Sequence, residues 1–180
     1  AVVTLNCEPV LNALVNMFTL LIFCVMARSL SKGMFNPVFA IVENLWQHMT
    51  VETALGYITA HILASLLATS ILTVIVPFDV LSTNKLNLGV GKINPANDEF
   101  AILTMETVGT FALYFGFLYY QHSRKNEDPY VSCFYYAMIA GALQLATYPI
   151  NGGAYNLATV IGGLLFSASA DNKTVYSFFG

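Results

Sequence analysis

The chain has 180 residues, of which 57% are hydrophobic and 9% charged, with a mean hydropathy of +0.66 and a formal net charge of −3. Soluble domains carry about a quarter charged residues, so this composition excludes an ordinary soluble protein and places the chain in a lipid bilayer as an all-α integral membrane protein. No Lys/Arg cluster could track phosphates, which excludes a nucleic-acid surface. Cys7, Cys24 and Cys133 show no CxxC spacing and no paired histidines, so they read as packing residues. Neither a metal nor another cofactor is implied.

Residues 9–27 run without a formal charge, enough for a helix across about 30 Å of hydrocarbon. Asn12 and Asn16 share one face of it, and such a stripe looks at protein or at water. Both a helix–helix hydrogen bond and a pore-lining role fit. After a loop holding Arg28, Lys32 and Gly33, residues 36–48 form an apolar segment too short to cross, with Glu43, Asn44, Gln47 and His48 at its far end. The spacing predicts a re-entrant half-helix, tolerated at membrane depth only when buried in protein or lining a watery cavity.

Residues 54–77 form a second full span, with Gly56, Ala60, Ala64 and Ala68 as a small-residue seam. His61 within it reads as a buried neutral histidine bonded to a neighbouring carbonyl, with a proton relay as the alternative. Residues 78–99 are a polar connection. Its Asn94-Pro95-Ala96 is a decoy, because no apolar half-helix follows. Residues 100–120 make the third span and carry Glu106, a carboxylate at membrane depth that requires a partner. Its expected task is to accept hydrogen bonds from non-helical backbone. Residues 129–149, with Gln144, make the fourth span, and residues 156–166 a second half-helix.

One motif occurs twice. Asn36 is an N-cap residue followed by Pro37 and Val38, and proline is favoured at the first helical position. Asn156 is followed by Leu157 and Ala158, so the second copy keeps the cap and loses the proline. Span, small-residue turn and Asn-capped half-helix, repeated 120 residues apart, describe an inverted repeat in which two half-helix N-termini meet near the midplane. Such dipole ends orient a neutral polar solute and repel cations. Arg28, Lys32, Arg124 and Lys125 fall on one side, which the positive-inside rule makes cytoplasmic. Lys85, Lys92 and the sequon Asn172-Lys173-Thr174, a candidate glycosylation site, fall on the other.

The segment Ser31-Lys32-Gly33-Met34-Phe35-Asn36-Pro37-Val38 resembles the SGxxxNPA motif of the aquaporin and aquaglyceroporin (major intrinsic protein) family, and Gly152-Gly153-Ala154-Tyr155-Asn156-Leu157-Ala158 resembles its second copy. Met105-Glu106-Thr107-Val108-Gly109-Thr110 is similar to the family's E-x-x-G-T, and Gly56-Tyr57-Ile58-Thr59-Ala60-His61 to its Y-x-x-A-Q. The resemblance implies one partial aquaporin-like transmembrane domain over residues 1–180, with the family's first and sixth helices missing from this chain. It implies that Asn36 and Asn156 donate to the permeating molecule. It also puts Asn16, Gln144, Gly153 and Thr159 at the selectivity filter, where Thr159 stands in place of the usual arginine. That loss removes a fixed positive charge and several donors, so a wider filter, less hostile to cations, is expected.

These features imply a channel for passive permeation of water or small uncharged solutes. The alternative is a non-conducting, aquaporin-like structural subunit of a membrane assembly, favoured by the altered filter and by thirteen Phe and ten Tyr. No GxSxG, HExxH or paired carboxylates occur, so no enzyme is expected. The partners implied are the lipid bilayer, three further copies in a homotetramer by resemblance, and other membrane proteins under the alternative.

Overall fold

A computed structural model describes residues 9–75, 99–123 and 130–170, and all its regular elements there are helices. These are α1 (Pro9–Ser31), α2 (Pro37–Leu45), α3 (Val51–Ile75), α4 (Glu99–Ser123), α5 (Tyr130–Asn151) and α6 (Leu157–Ala170). Asn94-Pro95-Ala96, Asn172, and the charges at Lys85, Lys92, Arg124, Lys125 and Lys173 lie outside the described residues.

Local chemistry sets the boundaries. α1 continues past Arg28 because the Arg28 guanidinium donates to the Lys32 carbonyl at 2.6 Å, satisfying a C-terminal acceptor. The helix then stops where Lys32 and Gly33 take φ of 57° and 69°. α2 is shorter than the expected 36–48 segment. It closes at Trp46 with Gln47 at φ 61°, and the His48 and Gln47 amides donate back to the Glu43 and Asn44 carbonyls. This is a Schellman closure with glutamine in the position usually given to glycine. α3 begins at Val51 rather than 54 because Thr50 caps it, its hydroxyl oxygen accepting from the Thr53 amide at 3.4 Å.

Contacts group the chain into two compact units, one of residues 1–35 and 92–155, the other of residues 36–91 and 156–180. The chain passes from the first unit to the second immediately before Asn36 and again immediately before Asn156. In the first unit α5 is central and packs against both α1 and α4. Gly141 lets Met17 of α1 approach, since a β-carbon there would stand 2.9 Å from the Met17 Cβ. On the other side Tyr120 stacks on Tyr135 with centroids 3.7 Å apart, and Phe117 meets Tyr136 edge-on at 5.2 Å.

In the second unit α3 packs against α2 and α6, and α2 touches α6. Gly162 of α6 lies against Ser65, whose carbonyl carbon is 3.1 Å from where a β-carbon would sit. Gly56, Ala60, Ala64 and Ala68 are instead exposed, and nothing lies within 4 Å of a β-carbon placed on Gly56. The expected seam is therefore one residue out of phase with the packed face, which runs through Ser65 and the buried Thr69.

Among the described residues three helices are long and apolar enough to cross a membrane, over Val10–Ser31, Val51–Leu72 and Phe100–Gln121. α5 has the length but also carries Tyr130, Tyr135, Tyr136, Gln144 and Tyr148. Its neighbours α1 and α4 supply the protein surface that such polar groups need at membrane depth.

Candidate functional site

In the second unit both half-helices start as the motif predicts. Asn36, in an extended conformation, accepts from the Val38 amide through Oδ1 at 3.3 Å, with Pro37 beginning α2. Asn156 Oδ1 accepts from the Ala158 amide at 3.1 Å, so the cap persists where Leu157 has replaced proline. Each cap is made through the side-chain oxygen. Thr159 lies one turn into α6, and its hydroxyl donates to the Asn156 carbonyl at 2.8 Å. Its proton is thereby held within its own helix. His61 of α3 is half-buried and its ring faces Tyr57 with centroids 6.0 Å apart.

The first unit holds the turns that deliver the two asparagines. Gly33 and Gly153, 120 residues apart, have φ of 69° and 66°. Each is pressed against the helix nine residues earlier. A β-carbon on Gly33 would stand 2.5 Å from Cys24 Sγ and 3.5 Å from Cys133 Sγ, and one on Gly153 would stand 2.9 Å from the Gln144 Cα. Cys24 and Gln144 are thus the same position in the two copies. The buried cysteines of α1 and α5 fill the space behind the first turn as small apolar groups. Gln144 backs the second.

The second turn is also held from α4. Glu106 Oε2 accepts from the Tyr155 amide at 3.3 Å, so the carboxylate meets non-helical backbone. The Tyr155 ring lies against Gly109, which leaves no room for a β-carbon, and its hydroxyl is hydrogen-bonded to Thr147 of α5. Tyr155 has φ 43°, a costly conformation for a non-glycine residue, and these three contacts offset that cost. Replacing Glu106 by leucine is expected to lower stability by about 1–3 kcal/mol, the cost of stranding a buried amide. Glu106→Gln keeps an acceptor oxygen and should lose much less. Thermal unfolding in detergent reads the difference.

Of the four residues expected at the filter, Asn16, Gln144 and Gly153 come together in the first unit, and Thr159 belongs to the second. Asn16 Nδ2 donates to Gln144 Oε1 at 2.8 Å, and one turn away Asn12 Nδ2 donates to the Tyr148 hydroxyl at 3.3 Å. Sequence reasoning missed Tyr148, Thr147 and Tyr155, and it read Cys24 as a packing residue without placing it behind the first turn. The 120-residue offset from Gln144 was the one signal for Cys24, and i, i+4 spacing from Gln144 the signal for Tyr148. Among the described residues no cluster of His, Cys, Asp and Glu could hold a metal ion.

The chain matches the family described as major intrinsic protein over residues 4–179. It is similar to the probable aquaporin TIP5-1 of Arabidopsis thaliana, 26% identical over 148 residues that make up 82% of this chain and 55% of that protein. It is also similar to the probable aquaporin TIP2-2 of the same plant, 26% identical over 165 residues, 91% of this chain and 63% of that protein. The chain thus spans a little over half the length of these relatives.

Proposed function

The chain belongs to the major intrinsic protein family, and from that premise we propose that it forms part of a membrane channel for passive permeation of water and small uncharged solutes. The observation that carries this reading is the pair of asparagines, each capping the N-terminus of a short helix through its oxygen. Two helix N-termini with amide donors beside them favour a neutral solute that offers lone pairs, and they disfavour cations. In this reading Asn36 and Asn156 orient the solute, with Pro37, Val38, Leu157 and Ala158 forming the first turns behind them. Asn16, Gln144, Gly153 and Thr159 are the residues that select the solute, and Glu106 holds the second turn. Without the arginine charge, cation rejection falls to the helix dipoles. The two relatives are named as probable aquaporins, which supports water as one permeant. A homotetramer in the bilayer completes the proposal.

A non-conducting structural subunit is a second reading. It is favoured by the exposed ladder Phe111, Phe115 and Tyr119 on α4, whose rings stack at 5.9 and 6.1 Å and offer aromatic surface to a neighbouring protein. Stopped-flow light scattering on proteoliposomes of the full-length natural protein separates the two. Shrinkage in sucrose faster than in empty liposomes is the expected result, with re-swelling when the osmolyte is small and uncharged. Rates equal to those of empty liposomes favour the structural subunit.

A further inference from the structure

Cys24 of α1 and Cys133 of α5 have no exposed surface, and both are free thiols. They belong to the same unit and meet behind its first turn. A β-carbon on Gly33 would stand 2.5 Å from the Cys24 Sγ and 3.5 Å from the Cys133 Sγ, so both sulfurs flank one point of the turn. The two thiols are in hydrogen-bonding contact with each other, and Cys24 also donates to the Gly33 carbonyl at 3.5 Å. The turn itself does not require sulfur, because the equivalent turn at Gly153 is backed by Gln144 instead. Packing alone leaves unexplained why two thiols from different helices are set against each other.

We propose that Cys24 and Cys133 form a modification site, a dithiol that hydrogen peroxide converts into a disulfide joining α1 to α5. The thiolate of one cysteine attacks a peroxide oxygen, the O–O bond breaks, and hydroxide leaves, so that this sulfur becomes a sulfenic acid. The second thiolate attacks that sulfur, forming the S–S bond and expelling the sulfenic oxygen as hydroxide. The two thiol protons turn both hydroxides into water. Two thiols and one peroxide thus give one disulfide and two waters, with two electrons passing from sulfur to the peroxide.

The surroundings suit this product. A disulfide is neutral, whereas a sulfinic or sulfonic acid would strand a charge in a buried apolar site. Arg28, one turn on from Cys24, places a positive charge within electrostatic reach of both sulfurs, the setting in which cysteines react. Arg28 also marks the side that the positive-inside rule makes cytoplasmic, where thiols rest reduced, so the dithiol is the resting form. Burial selects the oxidant. Peroxide is small and neutral, whereas glutathione disulfide is large and charged and needs an exposed sulfur.

The test uses the full-length natural protein carrying Cys7→Ala, which removes the third cysteine of this chain. After hydrogen peroxide, denaturation and alkylation, Cys24 and Cys133 are expected to lose their free thiols together. A peptide pair linked through these two residues should appear, and dithiothreitol should restore both thiols. Glutathione disulfide should leave them free. The oxidised protein should also melt at a higher temperature than the reduced one, because the link closes a loop of more than 100 residues in the unfolded chain. Cys133→Ala should abolish that rise. Persistence of both free thiols in peroxide would overturn the proposal, and this result needs no cysteine variant of the pair to fold. A rise in melting temperature that survives in Cys133→Ala would overturn the assignment to this pair. Linkage formed as readily by glutathione disulfide would overturn the selection by burial.

Discussion

Replacing Gly153 by alanine is expected to cost the protein several kcal/mol of stability and most of its yield as folded material. Two terms add. A left-handed conformation costs a non-glycine residue about 1–2 kcal/mol, and overpacking a filled site about 1–3 kcal/mol more. At φ 66° the new methyl would stand 2.9 Å from the Gln144 Cα, an atom fixed in the backbone of α5 that cannot rotate away. Gly33→Ala carries the same conformational cost, but its nearest obstacle is the Cys24 sulfur at 2.5 Å. Adding Cys24→Ala should therefore recover part of the Gly33→Ala loss, whereas no side-chain truncation relieves Gly153→Ala. Gly56→Ala, with nothing within 4 Å, should be neutral or slightly stabilising. Size-exclusion profiles and melting in detergent give the ranking. Equal behaviour of Gly56→Ala and Gly153→Ala would contradict it.

The second large effect is expected on transport. Asn36→Asp and Asn156→Asp keep the oxygen that accepts from Val38 and Ala158, and aspartate caps as well as asparagine, so both half-helices should survive. What changes is the other half of the side chain, where an amide donor becomes an oxygen and, when ionised, a negative charge. On the channel reading, a solute that needs this donor loses it. Water flux per protein is expected to fall by about tenfold or more, each lost hydrogen bond being worth roughly tenfold. Asn156→Ala serves as a contrast, because it removes donor and cap together and should also cost about 1 kcal/mol of helix stability. Parental flux in both aspartate variants would remove these asparagines from any transport role.

Much of the architecture was legible because it rests on local rules. Charge-poor runs and the Asn-Pro cap are short-range signals, and the helices begin within a few residues of where those signals stand. The ends were less legible. Arg28 looked like loop because it is charged, yet its head reaches a carbonyl four residues on and extends α1 to Ser31. Gln47 ends α2 in a conformation that sequence assigns to glycine, and only the tertiary setting selects it. The small-residue seam of α3 was visible in the sequence, but which face of α3 meets α6 depends on residues far along the chain.

The candidate site divides in the same way. That Asn16 and Gln144 are polar residues on apolar helices can be read directly. Their bond to each other depends on α1 running antiparallel to α5 in one register, which no local pattern encodes. Glu106 announced its need for a partner through its charge, whereas Tyr155 gave no sign that its ring, amide and hydroxyl would all be held.

Osmotic water flux through the full-length natural protein in proteoliposomes, followed at several temperatures beside empty vesicles, tests the central claim most directly. A path lined by two fixed helix N-termini predicts faster shrinkage than lipid alone, with a shallower dependence on temperature. Rates and temperature dependence that overlay those of empty vesicles, with the protein folded and inserted, would contradict it.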